Sequence, residues 1–74
     1  MSRKLTQEEI NWNTAKRDAI RKIEEKLQEN EDIDDRQLKR FIGKVADSEA
    51  FFWQVDKDAL QLFLMDEYFE RAQT

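Results

Sequence analysis

Seventy-four residues, 41% charged and 39% apolar, suffice for one small core, with a thin stability margin. The chain has neither cysteine nor histidine, so disulfides, the common zinc ligands, thiolate nucleophiles and imidazole bases are all excluded. Thirteen basic residues against seventeen acidic give a net charge of −4, a mildly acidic chain whose charges are unevenly distributed.

The first element opens on Thr6 and Glu9, the pair that makes a capping box, set inside a hydrophobic staple of Leu5 and Ile10. A helix is predicted over about 7–28. Trp12, Ala15, Ala19, Ile20, Ile23 and Leu27 recur at helical spacing and form its apolar stripe. Asn11, Asn13 and Thr14 are poor helix formers, so this end needs Trp12 to hold it. An acidic connector follows at 29–35, with neither glycine nor proline.

Asp34 with Gln37, flanked by Ile33 and Leu38, repeats the same start signal. The second helix is predicted over about 35–46. Leu38, Phe41, Ile42 and Val45 share one face; Arg36, Lys39, Arg40 and Lys44 share the other. Gly43, the single glycine, costs about 1 kcal/mol against alanine in a helix interior; it reads first as a tolerated cost or a close helix crossing, and second as a place where a ligand approaches the backbone. Asp47 or Ser48 then reads as the cap of a short third helix over 49–54. Asp56 caps the last helix, about 57–72, with Val55 stapled to Leu60. Its apolar residues occupy more than one side, which marks a helix central to a bundle or covered by something else.

The expected architecture is therefore all-α: a small bundle of three principal helices plus one short helix, forming a single domain over 1–74. Short connections favour antiparallel neighbours. No apolar run approaches a membrane span and 1–4 do not open a signal peptide, so a cytoplasmic location away from membranes is expected.

Catalysis would rest on carboxylates alone, and no enzymatic activity, cofactor or metal is expected. Asp66 and Glu70 stand at i, i+4, a spacing suited to magnesium, but Glu24, Glu25 and Glu29 do not supply a matching second set. A calcium loop counted from Asp32 fails, since its third ligand position is Arg36, its glycine position Gln37 and its final acid position Gly43.

Two features remain. Arg36, Lys39, Arg40 and Lys44 form a cationic face with no acid between them, which suits either the charged rim of an interface or phosphate contacts. Phe51, Phe52 and Trp53 are consecutive, and successive helical residues diverge by 100°, so one face cannot bury all three. Trp53 is expected to be the most surface-exposed of them. The expected function is a protein-interaction module, a regulator, inhibitor or adaptor that occupies a partner protein's surface through Phe52, Trp53, Phe63 and Tyr68. The alternatives are a structural homo-oligomer such as a homodimer, and a nucleic-acid-binding protein using the cationic face.

Overall fold

Both capping boxes close in the computed structural model, which describes residues 6–69. Thr6 N–H donates to Glu9 Oε1 at 3.1 Å, and Glu9 N–H donates back to Thr6 Oγ1 at 3.2 Å. Gln37 N–H donates to Asp34 Oδ1 at 2.8 Å, and Asp34 N–H to Gln37 Oε1 at 3.3 Å. Each box satisfies two backbone donors that the first helical turn leaves without intrahelical partners. The three helices are α1 (Gln7–Glu29), α2 (Asp35–Trp53) and α3 (Lys57–Tyr68), with no strand among the described residues. Leu5 of the first staple and residues 70–72 of the last predicted helix lie outside the described residues.

The predicted short helix over 49–54 is not a separate element, and neither Asp47 nor Ser48 acts as a cap. Both are exposed residues in the middle of α2, which runs unbroken to Trp53. The reason is the apolar stripe. Leu38, Ile42, Val45, Ala46, Glu49, Ala50 and Trp53 keep the i+3/i+4 rhythm, and the face they form stays against the core. Glu49 hides that continuity in the sequence because it is a charged residue at a core position, only 2% exposed. The helix ends instead at Gln54, whose left-handed conformation (φ 57°) turns the chain. The Gln54 N–H donates to the Ala50 carbonyl, and the Val55 N–H reaches the same oxygen at 3.0 Å. Asp56 Oδ1 then accepts from the Asp58 and Ala59 N–H groups at 2.9 and 3.2 Å and starts α3.

The core lies where the three helices meet. Ala15, Ala19 and Ile23 come from α1, Leu38, Ile42 and Ala46 from α2, and Leu60 and Leu64 from α3. Ala15 and Ala19 are fully buried, and Ile42, Leu60 and Leu64 fill the centre with no exposure. α1 and α2 are antiparallel: the amide of Asn11, near the start of α1, donates to the Trp53 carbonyl at the end of α2 at 3.2 Å. No described helix is long and apolar enough to cross a membrane.

Gly43 sits where α2 faces α3, and a Cβ built there would meet Gln61 Nε2 at 3.9 Å, an ordinary contact distance. The crossing therefore tolerates a methyl group. Gly43→Ala should raise stability by about 0.8–1 kcal/mol through helix propensity, read as a higher urea midpoint; a lower midpoint would show that this crossing is tighter than the backbone indicates.

Candidate functional site

The continuity of α2 decides which aromatic rings face solvent. Trp53 follows Glu49 by one turn and turns inward, packed against the core. Its indole Nε1–H donates to Glu49 Oε2 at 2.9 Å, while Glu49 Oε1 pairs with the Lys22 ammonium of α1. One buried carboxylate thus ties α1, α2 and the indole together, and no buried polar side-chain atom among the described residues lacks a partner. The expectation that Trp53 is the most exposed of the three rings is corrected. Phe51 is 87% exposed and Phe52 72%, because steps of 200° and 100° from Trp53 carry them off the buried stripe.

Phe63 and Tyr68 are likewise half-buried against the core. The Lys16 ammonium lies 5.1 Å from the Phe63 ring centre and 5.4 Å from that of Trp12, which closes the α1–α3 contact. Tyr68 donates its hydroxyl proton to Glu24 Oε1 at 3.0 Å. Of the four aromatic anchors expected from sequence, only Phe52 is largely open to solvent. Phe51, which sequence reasoning left aside, is more open still, and Leu62 on α3 is 71% exposed.

Burial and the neighbouring Glu24 carboxylate hold the Tyr68 hydroxyl well above its ordinary pKa of 10.0. The folded state therefore favours the neutral phenol. This contribution is fully present below the unfolded value and is lost as pH rises through the folded one. Above pH 10.0, wild type should lose thermal stability faster than Tyr68→Phe, with the two melting curves converging as pH rises. Parallel pH profiles would show that the Tyr68–Glu24 bond carries no linkage.

Arg36, Lys39, Arg40 and Lys44 are all exposed, but they do not act as one face. Lys39 turns toward α3 and lies 5.2 Å from the Phe69 ring centre. Arg40 and Lys44 turn toward α1, where they border a hollow of about 220 Å³ together with Lys26, Asn30, Gln37 and Phe41. Lys26 spans it, 5.6 Å from the Phe41 ring centre. No acidic side chain lines this hollow, and among the described residues none of Lys26, Arg40 and Lys44 closes an ion pair. The cations beside it are engaged: Lys22 holds Glu49, and Arg21 lies 3.2 Å from Glu25 and 3.8 Å from Asp18.

Among the described residues no three carboxylates come together as a metal site. Glu24 is occupied by Tyr68, and Glu70 lies outside the described residues. No protein-family model matches the chain, and no curated protein or solved structure matches it either.

Proposed function

We propose that the chain is a non-enzymatic protein-interaction module, a regulator, inhibitor or adaptor that works by occupying the surface of a partner protein. The observation that carries this reading is the adjacent pair Phe51 and Phe52, both open to solvent at the C-terminal end of α2. Two neighbouring phenylalanines in water form an apolar patch that burial against a partner would stabilise, and aromatic rings are frequent anchors at interfaces.

Rigidity supports the same reading. The Glu49–Trp53 bond, the edge-on packing of Phe52 against Trp53 (ring centres 4.9 Å apart) and the Asn11 bond to the Trp53 carbonyl fix the base from which the pair projects. A partner would lose little free energy in ordering it. Trp53 then acts as the support of the binding face and Phe51 and Phe52 as its anchors, while Phe63 and Tyr68 hold α3 against α1. The mechanism is steric: the module covers a partner's surface, with Arg40 and Lys44 as a charged rim that sets orientation.

The test is a photoactivatable phenylalanine analogue at position 51 or 52, irradiated in the cells of origin. The reading expects one dominant adduct with a different protein, lost when unlabelled wild type competes and retained when unlabelled Phe51→Ser, Phe52→Ser competes. Adducts only between copies of the chain, or only with nucleic acid, would overturn it.

A further inference from the structure

The acid-free hollow does not end at Lys44. It shares Lys26, Phe41 and Lys44 with an adjoining hollow of about 390 Å³, in which Glu25 and Glu29 form one wall and Val45 lies opposite on α2. Through Lys22 and Ser48 that space meets a third hollow, bordered by Asp18, Arg21, Glu49 and Phe52. The three join into one furrow between α1 and α2, about four helical turns long, or roughly 22 Å. Lys26, Arg40 and Lys44 line the end near the connector, both signs of charge flank Phe41 and Val45 in the middle, and Phe52 stands at the far end beside Asp18, Arg21 and Glu49.

We infer that this furrow receives an acidic amphipathic helix of a partner protein, with its carboxylates against Lys26, Arg40 and Lys44 and its apolar residues along Phe41 and Phe52. The inference rests on the interaction reading above and adds the chemistry of the partner. Charge complementarity carries it: among the described residues, three cations without ion-pair partners border a space with no acid in its lining, so an anion entering that end meets the attraction of all three, with the nearest lining acids, Glu25 and Glu29, in the adjoining hollow. Shape selects a helix. The furrow runs between two antiparallel helices, and the described residues offer no sheet edge to pair an extended backbone, whereas a third helix satisfies its own backbone and lays one face on the floor.

The test is selection from a displayed library of helical peptides about 15 residues long on the immobilised full-length chain. Enriched peptides should carry aspartate or glutamate clustered at one end and apolar residues at i, i+3, i+4 spacing. Arg40→Glu, Lys44→Glu should weaken them by about tenfold or more, and Arg40→Ala, Lys44→Ala by less. Arg40 and Lys44 are both exposed, so circular dichroism should be unchanged in either variant. Enriched peptides that are neutral or basic, or indifferent to the charge reversal, would overturn the furrow. If Phe51→Ser, Phe52→Ser still blocked those peptides, the interaction reading would survive that loss. No enrichment at all would also overturn the furrow. Binding of a mixed-sequence single-stranded oligonucleotide, lost in the charge-reversed variant, would then overturn the interaction reading with it.

Discussion

Ile42→Ala should destabilise the protein by about 2–5 kcal/mol, the largest single effect expected in this fold. Ile42 has no exposure and sits on α2 in the core formed with α1 and α3, so the deleted atoms leave a void that three helices border. A domain of this length holds roughly 4–11 kcal/mol in total, so the variant should be close to half-unfolded at modest urea concentrations. Ile42→Val should cost only about 0.5–1.5 kcal/mol. Urea unfolding followed by circular dichroism measures both. A cost below about 1 kcal/mol for the alanine variant would mean that the helices collapse onto the site, and that the three-way core is looser than its burial indicates.

Glu49→Ala should cost about 2 kcal/mol, because it removes a charge-assisted acceptor from the Trp53 indole in a buried setting. Lys22 contributes little to that figure: its side chain is 42% exposed and can turn to water. Two comparisons separate the causes. Glu49→Leu should recover part of the loss, since an apolar side chain of similar size removes the charge as well as the bond. Lys22→Ala combined with Glu49→Ala should show a coupling below about 1 kcal/mol. Tryptophan emission should shift to the red in Glu49→Ala as the Trp53 indole seeks water, and an unchanged spectrum would place the indole's anchorage elsewhere.

Much of this fold is legible in the residues. Thr6 with Glu9, Asp34 with Gln37, and Asp56 mark all three helix starts, because capping is local chemistry between residues two or three positions apart. The stripe of Ala15, Ala19 and Ile23 likewise announces the buried side of α1. What misleads is Glu49. A carboxylate at a core position reads as a break in the stripe unless its partners are known, and Lys22 is 27 positions earlier on another helix.

That one residue also governs the site. Once α2 is cut at 46, Phe51, Phe52 and Trp53 have no register; continued through 47 and 48, helical periodicity alone sends Trp53 inward and Phe51 outward. The cationic face was visible as a composition, but its division between Phe69 and the furrow depends on how α1 and α3 flank α2. Nothing local in Arg36, Lys39, Arg40 and Lys44 encodes that division.

We propose that the Phe51–Phe52 face is held open for a different protein. Light scattering of the wild-type chain and of Phe51→Ser, Phe52→Ser across about a hundredfold dilution tests it most directly. Both should show a monomer mass at every concentration, with melting temperatures that agree closely. A wild-type dimer that dissociates on dilution and is absent in the double variant would contradict it, because the aromatic pair would then already be buried between two copies of the chain.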